Sequence, residues 1–448
     1  MTMNATLDSL ADALAKGETT SAQLVEDCLA RIDDPAGEGA RVFVSVAHES
    51  ARKAAQAMDA LRASGAAPSP YAGIPVSIKD LFDIEGEVTR AGSVTLKDAA
   101  PATRDAIAVT RLKAAGFVVI GRTNMTEFAF SGVGINPHYG TPKSIYNRAT
   151  GHAPGGSTSG GAIALTDGMS HVSLGTDTGG SCRIPAAFNY LVGYKPTARR
   201  ISTRGAFPLS TTLDSIGPLG RSVSCCSIVD RVLAGEPIER LHARGVKGLR
   251  IAVPKSYVMN DMDDFVTAAF ERARKVLSDA GAIITDVAFP EIDAIPAANA
   301  KGGFSAPESL ATHAPLIEAH RDLYDARVLS RIERGHEQSA SDYVMLVRTR
   351  ARLISAFNQR MRDYDVLAYP TTPIVPPAIS AFDVDADFMR LNLLILRNPS
   401  VINMLDGCSI SVPMSRPPEA PAGLMLAAPG GCDHALFAIA AGVEAALA

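Results

Sequence analysis

The chain has 448 residues, 47% hydrophobic and 20% charged, with a net charge of −4: a globular protein long enough to bury a large core. Length alone allows about three domains of roughly 150 residues, a soft prior only. The mildly acidic balance and the lack of any run of about five basic residues argue against a nucleic acid or an anionic membrane as partner, leaving a small molecule as the expected ligand.

The opening residues, MTMNATLDSLADALAKGE, carry acidic groups where a secretory signal would have a basic stretch and an apolar core. No segment reaches about 18 continuous apolar residues. A cytoplasmic protein without membrane contact is expected. The six cysteines, at 28, 182, 225, 226, 408 and 432, form no CxxC pair, and the nine histidines show neither HxxxH nor HExxH spacing. Thiols are expected in place of a disulfide framework, and no metal or other cofactor.

Taken in chain order, Thr19 to Ile32 predicts a helix: Thr20 or Ser21 can cap it, and Leu24, Cys28 and Ile32 recur every fourth position. An Ala-rich helix follows over Glu49 to Ala63, then the connector SGAAPSP. The pattern then switches to period two. In IPVSIK, Ile74, Val76 and Ile78 share one strand face, while Pro75, Ser77 and Lys79 share the other. Asp105 to Ala115 predicts a helix stopped by Gly116, and the strand FVVIG follows at once. HVSLGTD predicts a strand and GGAIALTDG a helix. The helix, glycine, strand order returns over Asp263 to Pro290, after a short strand at Leu249 to Pro254. The Pro-rich pieces TTPIVPP and RPPEAPAG predict loops, and ALFAIAAGVEAALA a closing helix. Strands alternating with helices predict an α/β protein with a largely parallel or mixed sheet.

Two glycine-flanked hydroxyl clusters stand out: PGGSTSGG at Pro154 to Gly161 and GTDTGGSCRIP at Gly175 to Pro185. Neither fits GxxxxGK[ST] or GxGxxG, so a phosphate cradle is not expected. One such loop alone would be read as a tight turn. Two of them, with Ser157 and Ser181 separated by 24 residues (181 − 157), one before a helical run and one after a strand, can open on one edge of a sheet, where α/β proteins place their sites. Gly179 and Gly180 would let successive N–H groups turn toward one point, as a developing oxyanion requires. Ser181 is then a candidate nucleophile. A serine hydroxyl needs a base, and no histidine adjoins either loop in a recognisable motif, although His152 and His171 lie nearby in sequence. A lysine made neutral by burial is the alternative, and Lys79 is the candidate. A bridging hydroxyl from Ser157, Thr158 or Ser159 would let that lysine serve both Ser181 and a departing amine.

With GIPVSIKD, GRTNMTEFAF, LDSIGPLGRSV, DVLAYPTTPIVPP and NMLDGCSISVP in the same order, these loops resemble the amidase signature family of serine hydrolases, from about Leu24 to the C-terminus. The resemblance implies one amidase signature domain over 1–448: an N-terminal helical segment (1–70), a core with the catalytic residues (71–235), and the remaining sheet and pocket elements (236–448). It implies a central twisted mixed sheet covered by helices on both faces. It maps a Ser–cisSer–Lys triad onto Ser181 as nucleophile, Ser157 as bridge with a cis peptide, and Lys79 as base. An oxyanion hole would fall on the N–H groups of Thr178, Gly179, Gly180 and Ser181, and the acyl pocket would be bordered by Ala129 and Phe130. Asp177 and Arg183 are expected to shape the loop. The chain departs from the family at Thr158, where many members have serine, and at Cys182, where many have an aliphatic residue; Ser157 keeps the bridging role because it follows the Gly-Gly pair. Cys182 is expected to be a bystander.

The activity implied is hydrolysis of a small-molecule carboxamide to a carboxylate plus ammonia or amine through an acyl-enzyme. EFAFSGVGINPHYG and LNLLILRNP lean toward an apolar or aromatic acyl group. Two alternatives stay open: the glutamine-hydrolysing subunit of a tRNA-dependent amidotransferase, which needs a second chain as partner, and a catalytically silent binding protein on the same scaffold. A homodimer is the one self-assembly allowed for.

Overall fold

Eleven short strands join in one sheet: β1 (Phe43–Val46), β2 (Pro75–Lys79), β3 (Val118–Thr123), β4 (Val172–Asp177), β5 (Val192–Lys195), β6 (Ser215–Gly220), β7 (Arg250–Pro254), β8 (Ile283–Val287), β9 (Val366–Pro370), β10 (Cys408–Pro413) and β11 (Gly423–Ala428). Their spatial order in this computed structural model, which describes residues 5–448, is β1-β3-β2-β4-β6-β5-β10-β11-β9-β7-β8. The pairs β2–β3, β2–β4, β7–β8 and β7–β9 are parallel, and the central run from β4 to β9 is antiparallel. The sheet is therefore mixed, as the alternation of strands and helices predicts.

Period-two alternation sorts the strand side chains between the two faces. Val118 and Ile120 of β3 pack with Val25 and Leu29 of the helix Ser21–Ile32 and with Ala51 and Ala55 of the helix His48–Ala63. Ile74, Val76 and Ile78 pack on the other face with Leu112 of the helix Ile107–Ala114 and Val229 of the helix Val223–Ala234. At the far end, Leu424 and Leu426 meet Phe270 and Phe437, whereas Met425 and Ala427 meet Phe357 and Ile402. Helices thus cover both faces, and a strand inside such a sandwich is apolar or internally hydrogen-bonded throughout.

The first predicted helix begins at Ser21, with Thr20 as its cap accepting from the Gln23 N–H. The helix expected from Asp105 starts at Ile107, because the Asp105 carboxylate is held by the Glu85 N–H and the Lys113 ammonium. Both Pro-rich pieces are loops, one leaving β9 and one joining β10 to β11. LNLLILRNP lies within the helix Asp385–Met404. Among the described residues no helix is long and apolar enough to cross a membrane.

β2 and β4 run parallel as neighbours, so their last residues, Lys79 and Asp177, emerge at one edge of the sheet. That edge, at the carboxyl ends of parallel strands, is where an open α/β sheet leaves room for a site.

Candidate active site

Every residue of β2 is buried, Lys79 included, although its alternating pattern leaves one face free for solvent. The difference comes from the neighbours: β3 and β4 flank the strand, and the face opposite Ile78 is closed by Ser170, whose hydroxyl donates to Ser77 Oγ at 3.1 Å. Lys79 therefore points into protein. Its Nζ donates to Ser157 Oγ at 2.7 Å and to Thr176 Oγ1 at 2.9 Å, and among the described residues no carboxylate bonds to it. Burial pushes its ammonium down to about 8, with the charges of Asp177 and Asp214 opposing that fall only in part.

Ser157 sits in the loop before the helix Ser159–Thr166, and the Gly156–Ser157 peptide is cis. Two backbone bonds hold this loop: the Gly156 N–H donates to Gly132 O at 2.8 Å, and the Thr126 N–H donates to Ser157 O at 3.1 Å. No side chain fits at 156, since a Cβ there would stand 2.6 Å from Gly134 N and 2.8 Å from Thr126 Oγ1. The Thr158 N–H in turn donates to Ser181 O at 3.3 Å, which ties the two glycine loops together.

The loop after β4 is wrapped around the Asp177 carboxylate. Arg183 grips it with two bonds, Nη2 to Oδ1 at 2.7 Å and Nε to Oδ2 at 3.0 Å, and Asn403 Nδ2 adds a third at 3.0 Å. All three residues are buried. Burial alone would push the Asp177 carboxyl up, but the Arg183 guanidinium and the Asn403 amide outweigh it and hold the group well below the usual carboxylate range. This is the loop-shaping part expected of Asp177 and Arg183, with Asn403 as a third member.

Gly180 does not supply the oxyanion donor expected of it. Its N–H donates to Asp177 Oδ1 at 2.9 Å, so it is not free to meet an oxyanion; the Cys182 N–H likewise goes to Asp177 Oδ2 at 3.1 Å. The N–H groups of Thr178, Gly179 and Ser181 have no acceptor among the described residues. Gly180 is needed for its backbone: φ is +126°, and a Cβ would lie 2.5 Å from Pro399 Cγ.

Cys182 is fully buried, its Sγ 3.5 Å from Gly217 O, and burial pushes its thiol far up. A thiol so placed is a poor nucleophile. Neither histidine near the loops bonds to Ser157 or Ser181. His152 Nδ1 meets Pro376 O at 2.7 Å, and the His171 ring has no hydrogen-bond partner among the described residues, burial pushing it down to about 4.

Ser181 opens onto a cavity of about 220 Å³, whose wall also includes Thr178, Gly179, Ala129 and Phe130. Ala129 and Phe130 reach it because a turn at Phe128 and Ala129, both with positive φ, is pinned by buried Glu127, which accepts from Ser93 Oγ at 2.6 Å and from the Asp325 N–H at 2.8 Å. The other walls were not legible from local motifs: Leu209 and Leu213, Phe304, and Leu396 of the helix Asp385–Met404. Thr176 was missed as well, though it lies inside GTDTGG, and Asn403 stands within NMLDGCSISVP. Asp214, of LDSIGPLGRSV, accepts from Thr178 Oγ1 at 2.5 Å and from the Leu209 and Ser210 N–H groups, fixing the residue next to the glycine pair.

Lys79 bonded to Ser157 of one glycine loop, and Ser181 of the other on the wall of the cavity, thus meet at one edge of the sheet; the comparisons with known proteins put the chain among hydrolases acting on amide C–N bonds. Residues 23–437 match the Amidase family model, and the chain belongs to that family. It is 32% identical, over 99% of its length and 97% of the relative's, to 2-amino-5-chloromuconic acid deaminase of Comamonas testosteroni. A glutamyl-tRNA(Gln) amidotransferase subunit of Roseiflexus sp. (strain RS-1) is 34% identical, over 86% of this chain and 85% of that one. A crystal structure of an amidase superposes with a TM-score of 0.89 at 29% identity, covering 99% of this chain and 100% of the other.

Proposed function

We propose that the chain hydrolyses a small carboxamide through an acyl-enzyme on Ser181, with Lys79 as base and Ser157 as the proton carrier between them. The observation that carries this reading is the 2.7 Å contact between Ser157 Oγ and a fully buried lysine that no carboxylate among the described residues holds in its charged form. Neutral Lys79 takes the Ser157 proton while Ser157 takes that of Ser181, and the Ser181 Oγ forms its bond to the amide carbonyl carbon. The oxyanion is received by the N–H groups of Thr178, Gly179 and Ser181. Protonated Lys79 then returns its proton through Ser157 to the nitrogen as the C–N bond breaks, releasing ammonia or an amine. Water attacks the ester with Lys79 again as base, and the carboxylate leaves.

The girdle of Asp177, Arg183 and Asn403 supports this reading as the frame that holds the donors in place before substrate arrives. The small cavity, with Leu209, Leu213, Phe304 and Leu396 on its walls, supports a compact acyl group with apolar surface. Turnover of a panel of aryl, alkyl and small polar amides, in the intact enzyme and in Ser181→Ala, tests it: activity surviving in the variant would end the proposal.

A second reading, glutamine hydrolysis within an amidotransferase, is favoured by the similarity to the Roseiflexus protein. Ammonia release from glutamine, alone and with a co-purifying second chain, separates the two.

A further inference from the structure

A second, smaller cavity of about 70 Å³ adjoins the one that Ser181 opens onto and shares Ala129, Thr178 and Leu209 with it as walls. It is also lined by Asp214 and by Thr176, whose Oγ1 accepts from Lys79 Nζ at 2.9 Å. There is room in it for about two water molecules. Asp214 directly precedes β6, where Ser215 pairs with Asp177 and Ile216 with Thr176, so the sheet brings it beside the end of β4. The partners of its oxygens are uncharged: Thr178 Oγ1 at 2.5 Å, the Leu209 N–H at 3.0 Å and the Ser210 N–H at 3.1 Å. The neighbouring acid is Glu308, of the helix Ser305–His320, which accepts from Ser210 Oγ at 2.6 Å and Tyr343 Oη at 2.7 Å. Burial, with the Glu308 charge, raises the Asp214 carboxyl to about 6, so it is ionised at neutral pH. The other groups facing Lys79 are neutralised. Asp177 is paired with Arg183 at 2.7 Å, the Cys182 thiol is protonated, and Asp80, next in sequence, is paired with Arg122 at 2.8 Å.

A buried carboxylate without a cation is costly to keep, and its charge acts across a low-dielectric cavity on whatever titrates at the other side. We infer that Asp214 is a positioning residue of the reaction: its carboxylate is the counter-charge for the ammonium that Lys79 becomes on taking the Ser157 proton, and it fixes Thr178 through its hydroxyl, so that one group sets both the base and the donor loop. A carboxylate does the same for the imidazolium of a Ser-His-Asp triad. The separation matters. A carboxylate bonded to Nζ would hold Lys79 charged and end its service as a base, whereas one across a cavity leaves the neutral amine populated and favours the charge as it forms. The inference rests on the reading of Lys79 as base, and it adds a group outside the set of Lys79, Ser157 and Ser181.

Asp214→Asn tests this, since it keeps an acceptor oxygen for Thr178 and removes the charge. The ammonium form of Lys79 then loses support, so its midpoint should fall by about one unit, from about 8 to near 7. Two readouts follow it: the ascending limb of kcat/KM for an uncharged amide, and, without turnover, the ε-carbon NMR resonance of labelled lysine in Ser181→Ala, assigned to Lys79 by its loss in Lys79→Met. The plateau of kcat should drop about tenfold at most, the share set by one unit of midpoint. Asp214→Ser removes the same charge without placing an amide against the Leu209 and Ser210 N–H groups, and should give the same shift. Thr178→Val removes the hydroxyl and leaves the charge, so it should lower activity with the midpoint unmoved. Thermal unfolding checks that each variant folds. If the ε-carbon midpoint stays near 8 or rises in the folded Asp214 variants, or if Thr178→Val moves it as far as they do, the inference is overturned. A midpoint that falls by NMR while the activity limb stays in place would uphold the counter-charge and end the reading of Lys79 as base.

Discussion

The Lys79 ammonium is held near 8, against an ordinary 10.5, by complete burial, and the proposed mechanism needs its neutral form. Raising the pH is therefore the cleanest perturbation, since only neutral Lys79 can take the proton of Ser157. For an amine titrating near 8, the neutral fraction rises from about 3% at pH 6.5 to about 90% at pH 9, about 30-fold, and then levels off. A lysine at 10.5 would rise about 300-fold over the same range and show no plateau. At pH 7 the depressed value leaves about 300 times more neutral amine than the ordinary one, a gain in the population of the reactive form that the weaker basicity of the buried amine offsets in part. The assay is kcat/KM for an uncharged amide from pH 6.5 to 10, a window that starts above Asp214, which burial raises to about 6. A single ascending limb with its midpoint near 8 is expected. A flat profile, or one still climbing tenfold per unit beyond pH 9, would refute the reasoning.

Lys79→Ala should lower kcat by about 10²–10⁴-fold, the usual share of a positioned base, and abolish the limb. The same depressed value bears on stability. A folded-state value of about 8 below an unfolded 10.5 makes the unfolded chain bind more protons in between, so wild type should gain about 2.5 kcal/mol over Lys79→Met between pH 7 and 10, read by urea unfolding. Arg183→Met leaves the Asp177 carboxylate buried and unpaired, and should cost about 3–5 kcal/mol in the same assay. Because Asp177 is held below its ordinary range, its contribution in wild type should be full above about pH 4 and lost as the pH falls further. Gly180→Ala should lower activity by about 10²-fold, since the Cβ displaces the loop from Pro399 and carries the neighbouring N–H groups with it. Iodoacetamide should leave the native enzyme active, because Cys182 is sealed and its thiol protonated.

How much of the site was readable from the residues depends on how local each determinant is. Lys79, Ser157 and Ser181 stand in short motifs with turn-forming glycines, and the α/β alternation places those turns on one sheet edge. The burial of Lys79 was expected only from the chemistry a neutral base requires, since IPVSIK by itself shows the alternation of a half-exposed strand; the burial comes from pairing with β3 and β4. The capture of the Gly180 N–H by Asp177 was missed for a similar reason. A backbone donor beside two glycines looks free until the carboxylate three residues earlier is seen folding under the loop. Asn403 comes from a helix more than 200 residues downstream of Ser181 (403 − 181 = 222), and its approach is decided by how that helix packs against the sheet.

The central claim, covalent attack by Ser181 with proton transfer through Ser157 to Lys79, is tested most directly by mass spectrometry of the intact protein after a fluorophosphonate, with peptide mapping of the adduct. One adduct per chain on Ser181 is expected, absent from Ser181→Ala and formed far more slowly in Lys79→Ala. An adduct on Cys182 or any other residue, or none on an enzyme that still turns over amides, would contradict it.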